Sequence, residues 1–180
     1  LYYNQSGALN EAYSDIFGET VDLTNGAGTD SAGVRWLAGE DLSIGAIRNM
    51  MTPTNYGDPG KLSDAQFVCA SDAWTSSSAD GGGVHSNSGV ANHAYALMAD
   101  GGTYNGRTVS GIGLTKSAKV HYRALTTYLT SGATFLDQAN ALNQSCRDQI
   151  GTAGITSYDC AQVTAAIQAV EMENPLRCSG

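Results

Sequence analysis

Apolar residues recur at helical spacing in five stretches of the chain. Between Ser6 and Phe17, the residues Leu9, Tyr13, Ile16 and Phe17 share a face, which predicts a helix with Ser6 as its N-cap. Val90, Ala94, Leu97 and Met98 predict a second helix, opening near Asn87 and stopped by Gly101-Gly102. Ala118, Tyr122, Leu125 and Leu129 predict a third, capped by Thr115 and ended by Ser131-Gly132. A fourth spans Ala133 to Gln149, with Phe135, Ala139, Leu142 and Cys146 on one stripe. After a break from Gly151 to Gly154, Val163, Ala166, Ile167 and Val170 mark the last helix, capped by Ser157 or Asp159.

The rest reads as irregular. Small and polar residues dominate from Asn25 to Asp41 and on through Pro53, Gly57, Pro59 and Gly60, and again from Ser76 to Gly83. An occasional piece such as Ala65-Gln66-Phe67-Val68 looks extended, and Asn174-Pro175-Leu176 reads as a tail. With no repeat and no linker, the expected architecture is mainly α: a helical bundle with long irregular loops, one domain over residues 1–180.

Composition narrows the partners. Nine Lys+Arg against 17 Asp+Glu give a net charge of -8, which argues against nucleic acid. No apolar run is long enough for a membrane span, so a soluble chain without a membrane partner is expected. Cys69, Cys146, Cys160 and Cys178 form an even set without a CxxC pair, which points to disulfides in an oxidising compartment and hence to secretion into the extracellular space. Of three connectivities, the short Cys146–Cys160 loop is preferred, leaving Cys69 with Cys178. Leu1-Tyr2-Tyr3-Asn4 has no basic n-region and no apolar h-region, as expected of a mature form or a fragment.

Chemistry concentrates in two places. Glu11 and Asp15 stand four apart, so on a helix both carboxylates share a face and can hold a cation or orient an imidazole; the same spacing also suits a solvated acidic surface. His85 follows Gly81-Gly82-Gly83 at a helix start, where it can donate to a developing oxyanion with Asp80 fixing its tautomer, or simply satisfy a local carbonyl. His93 and His121 read as structural, because no H-E-x-x-H, H-x-H or Cys/His array surrounds them. Neither a nucleophile elbow nor a P-loop is present. Glu19, Asp22, Asp30, Glu40 and Asp41 make an oxygen-rich region suited to calcium or to plain solvation.

Two segments together resemble one family. Ser6-Gly7-Ala8, followed by Asn10-Glu11-Ala12-Tyr13-Ser14-Asp15-Ile16-Phe17-Gly18, resembles the third-ligand helix of thermolysin-like zinc metallopeptidases, the neutral proteases or gluzincins. Gly82-Gly83-Val84-His85-Ser86-Asn87-Ser88-Gly89 resembles their active-site histidine loop. Ile44 to Met50, Tyr56-Gly57-Asp58-Pro59, Gly111-Ile112-Gly113 and Tyr122 to Thr126 follow in the family's order, so the resemblance covers nearly the whole chain.

The resemblance implies the C-terminal, mainly helical half of a secreted zinc metalloendopeptidase. The N-terminal half would carry the H-E-x-x-H helix and its general base, and the isolated chain would be inactive. It implies Glu11 as the third zinc ligand and Asp15 as the carboxylate orienting a zinc-bound histidine of the other half. His85 and Tyr2 would stabilise the oxyanion and Asp80 would orient His85, while Arg48 would hold the substrate backbone and Ile47 would wall the pocket after the scissile bond. Calcium is implied at Glu19, Asp22 and the carbonyl of Leu37. Against the family pattern, Arg35 stands at an acidic position and Leu37 at a carboxylate, with Asp30 or Glu40 near enough to compensate. Gly81 replaces a common asparagine. The competing expectation is a non-catalytic, disulfide-linked, calcium-stabilised helical module that binds a partner.

Overall fold

A computed structural model describes residues 1–69 and 80–174. Helix α1, Asn4–Asn25, packs lengthwise on α2, Asp80–Asp100. From Asn87 to Ala99 every residue of α2 is buried, as in a helix surrounded by neighbours on all sides, and it forms the axis of the core. Helices α3, Leu114–Arg123, α4, Phe135–Asp148, and α5, Ser157–Ala169, complete the bundle around it.

The close approach of α1 and α2 depends on Gly7. A Cβ there would lie 2.3 Å from Val84 Cγ1 and 3.2 Å from the Tyr2 backbone, so only glycine lets the two axes meet. The fourth and fifth stripes are buried as expected: Phe135, Ala139, Leu142 and Cys146 from α4, and Val163, Ala166, Ile167 and Val170 from α5 and its end. The Cys146–Cys160 disulfide joins these two helices. The Cys69–Cys178 pairing involves Cys178, and the tail includes Pro175 and Leu176; these lie outside the described residues, as do Ser76 to Ala79.

Several expectations are corrected. Ser6 does not cap α1; the helix begins at Asn4 after an extended Tyr3, and Ser6 Oγ donates to the Tyr3 carbonyl at 3.0 Å. Thr115 lies within α3, whose N-cap is Gly113. Thr156, not Ser157 or Asp159, caps α5 in a reciprocal box with Asp159, and Thr134 with Asp137 does the same for α4. On α3 the buried side is Ser117, Val120, His121 and then Ala124, whereas Tyr122 and Leu125 are exposed. A π-helical turn, Ala124–Tyr128, follows α3 and carries the backbone out of the register expected for Leu129. Ala65 to Val68 is turn and irregular backbone, not a strand.

Strand structure occurs instead in two small antiparallel pairs. β1, Leu37–Ala38, meets β2, Arg48–Asn49, within the long irregular region after α1, which also holds the 3₁₀ turn Pro53–Tyr56. β3, Gly101–Tyr104, pairs with β4, Arg107–Ser110, through a turn at Asn105-Gly106, both with positive φ. Among the described residues no helix is long and apolar enough to cross a membrane.

Candidate active site

Glu11 and Asp15 lie on α1, one turn apart, as their spacing requires. His85 reaches the same place from α2 by an unusual route. Asp80, Gly81, Gly82 and Gly83 all have left-handed backbone, with φ of 47°, 57°, 90° and 77°. Glycine tolerates this conformation, and a Cβ at Gly82 would fall 2.0 Å from Asn4 Oδ1. The second helix therefore opens earlier than Asn87, through a left-handed turn that winds Asp80 back over His85.

The Asp80 carboxylate grips His85 twice. Oδ2 accepts the His85 backbone N–H at 2.7 Å, and Oδ1 lies 2.5 Å from Nδ1, where it accepts a hydrogen bond from the ring N–H. The other ring nitrogen, Nε2, is 3.4 Å from the Tyr2 hydroxyl and 3.4 Å from Glu11 Oε2. Tyr2 donates a short hydrogen bond to Glu11 Oε1. That bond, reinforced by the negative charges of Glu11 and Asp80, pushes the Tyr2 phenol up to about 12, so it keeps its proton at any neutral working pH. Tyr2, Glu11, His85 and Asp80 thus form one constellation at the surface of the α1–α2 seam.

Asp15 is adjacent but lies deeper, its side chain 8% exposed. Arg48, held in β2, forks onto it: Nε donates to Oδ2 and Nη2 to Oδ1, each at 2.8 Å. Asn92 of α2 donates to Oδ2 at 2.7 Å. Arg48 keeps both Nη1 protons and one Nη2 proton for other acceptors. Ile47 precedes it with its side chain exposed, and Asp58, half-buried near Arg48, is pushed up to about 6, chiefly by burial. Sequence reasoning missed Asn92, whose one signal was a polar residue at a buried position of an apolar helix.

This donor set fits a share of a zinc site. Glu11 offers one carboxylate, and Asp15 is suited to orient a ligand rather than to ligate. Among the described residues no set of three His, Cys, Asp or Glu ligand atoms within 4.8 Å of one another includes Glu11 or Asp15. His93 and His121 lie elsewhere, buried, with Nδ1 donating to the carbonyls of Gly60 and Ser117 at 3.0 and 2.9 Å. The described group of three with ligand atoms inside 4.8 Å is Asp22, Asp30 and Glu40. Glu19 lines a hollow with Asp22 and Glu40, 5% exposed, with Oε1 unpartnered. Burial, then the charges of Glu40 and Asp22, push Glu19 up to about 8. Leu37 stands in β1 paired with Asn49, and Arg35 turns away to a bidentate pair with Asp100 at 2.6 and 3.0 Å.

A family sequence model described as thermolysin metallopeptidase, alpha-helical domain, matches residues 1–172. The chain belongs to this family. It is 43% identical over 172 residues to a zinc metalloproteinase of Renibacterium salmoninarum, covering 94% of this chain and 31% of that protein. It is 41% identical over 175 residues to a bacillolysin of Brevibacillus brevis, covering 94% and 29%. To the neutral protease NprE of Bacillus pumilus it is 39% identical over 172 residues, covering 94% and 47%. The chain therefore spans less than half the length of these relatives. Its helical architecture is that of the thermolysin alpha-helical domain.

Proposed function

We propose that this chain is the helical, cleft-forming part of a secreted zinc metalloendopeptidase and works together with an N-terminal half that carries the remaining zinc ligands and the general base. The constellation of Tyr2, Glu11, His85 and Asp80 carries this reading, because it sets two donors beside one ligand-grade carboxylate. Glu11 is the ligand this chain contributes, and Asp15 orients an imidazole from the other half. When bound, zinc acidifies its water and polarises the peptide carbonyl.

The protein's own residues do the rest. As the carbonyl carbon becomes tetrahedral, negative charge grows on its oxygen, and His85 Nε2–H and the Tyr2 O–H, turned from Glu11, donate to it. Asp80 holds the His85 proton on Nδ1, so the ring keeps the orientation that turns Nε2 toward the cleft. Arg48, already fixed by Asp15, offers its remaining protons to a substrate carbonyl, and exposed Ile47 walls an apolar pocket. The second cation site takes calcium through Asp22, Asp30 and Glu40, with Glu19 beneath them; all are hard oxygen donors. A groove of about 530 Å³ along α1, lined by Leu9, Tyr13, Phe17 and Leu125, is the surface assigned to the N-terminal half.

The chain alone is inactive, since one carboxylate does not hold zinc against water. The test is zinc content and peptide hydrolysis of the chain alone and after mixing with a separately made N-terminal half, with a zinc chelator as control. Chelator-sensitive activity restored by mixing, and lost with Glu11→Gln, is expected. Zinc-dependent hydrolysis by the chain alone overturns the shared-site reading. Indifference of both metal content and hydrolysis to Glu11→Gln would favour a non-catalytic binding module.

A further inference from the structure

We propose that Asn92 is a positioning residue of the zinc site, acting through Asp15 and resting on the metal-site reading above. An ionised carboxylate accepts at about four lone-pair positions, two on each oxygen. Among the described residues three are filled on Asp15: Oδ2 receives Arg48 Nε and Asn92 Nδ2, and Oδ1 receives Arg48 Nη2, which leaves one position on Oδ1. Asn92 thereby decides which oxygen is free to accept the imidazole N–H of a metal ligand.

The orientation of the Asn92 amide is forced. Turned over, its oxygen would face the Asp15 carboxylate, acceptor against acceptor. As it stands, Nδ2 donates, and the cost falls on Oδ1, which is buried without a partner in a side chain 1% exposed. A leucine would fill similar space with no orphaned oxygen, so the amide is explained by its donor. Asn92 sits mid-helix in α2, the most enclosed element, whereas Asp15 stands on α1 and Arg48 on a two-residue strand beyond a long loop. Through Asn92 the core of the bundle fixes a carboxylate that serves the cleft.

The experiment uses the enzyme expressed with its N-terminal half. Zinc dissociation constants are measured by chelator competition for Asn92→Leu, Asp15→Ala, the double variant and Glu11→Gln. Weakening of about 10-fold is expected for Asn92→Leu, and of 10- to 100-fold for Asp15→Ala, the range typical of partners that orient metal ligands. The double variant should be no weaker than Asp15→Ala, because Asn92 acts through that side chain. Multiplying effects, or wild-type affinity in a folded Asn92→Leu protein, overturn the proposal. Should the leucine variant not fold, Asn92→Ala decides: it removes the same donor, so zinc should weaken about 10-fold, and wild-type affinity counts against the proposal. Zinc retained by Glu11→Gln would sink the underlying metal-site reading, whereas zinc lost there but kept by Asn92→Leu rejects Asn92 alone.

Discussion

The Asp80–His85 pair ties a single backbone anomaly to a single proton. Asp80 reaches both the amide and Nδ1 of His85 because four consecutive residues wind left-handed ahead of the helix. Replacing His85 by alanine in the assembled enzyme should lower kcat by about 10²- to 10³-fold, the usual loss for one oxyanion donor. Zinc content should stay near wild type, measured by metal analysis beside steady-state kinetics. Loss of zinc in step with activity would instead make His85 part of the metal-holding set. Asp80→Asn keeps a hydrogen-bonding side chain but removes the charged acceptor that orients Nδ1, so it should lower kcat by less than His85→Ala with zinc content unchanged. The residues of this constellation were visible in the sequence as types and spacings, through the family resemblance; the left-handed route that joins them was not, because a run of glycines permits many paths and its particular one is set by contacts with Asn4 and Val68.

At the scale of elements, packing outweighs pattern where a face has two neighbours. Gly7→Ala drives a methyl into Val84 and should destabilise by about 1–3 kcal/mol, the range for overpacking, as a shift in denaturant midpoint. Adding Val84→Ala should recover part of the loss, since the clash is chiefly with Cγ1. If the pair is no more stable than Gly7→Ala, the close contact does not limit packing. Helices α4 and α5 were legible because each has one apolar stripe against one core, although the Thr–Asp capping boxes at their starts went unread. α3 was misread for the opposite reason: its buried positions include Ser117 and His121, while apolar Tyr122 and Leu125 face outward, so the hydrophobic stripe marks the wrong side. The β3–β4 hairpin left an Asn105-Gly106 signature, but Gly-Gly-Thr-Tyr and Arg-Thr-Val-Ser have too little apolar alternation to declare themselves strands. α1 and α3 lack side-chain caps, so their starts carried no local signal.

For the whole molecule, a fully buried histidine sets an acid limit on folding. His121 is fully buried between the rings of Tyr13 and Tyr95, with Nδ1 on the Ser117 carbonyl and Nε2 unpartnered. Burial pushes its pKa down from 6.5 to about 4. Between these values the unfolded chain binds the proton and the folded one does not, so stability rises with pH across the window. The contribution is complete above about pH 6.5 and is lost as pH falls through 4, on the order of 3 kcal/mol at one pKa unit per 1.36 kcal/mol. Glu19 and Asp58 oppose it: their folded pKa values are raised to about 8 and about 6, so their contributions decline as pH rises. A variant comparison separates these signs. In denaturant titrations of the assembled enzyme at pH 7 and pH 4.5, His121→Gln should show a smaller loss on acidification than wild type, because glutamine has no proton to take up. Parallel losses in the two proteins would assign the acid limit to carboxylates and leave His121 as packing alone.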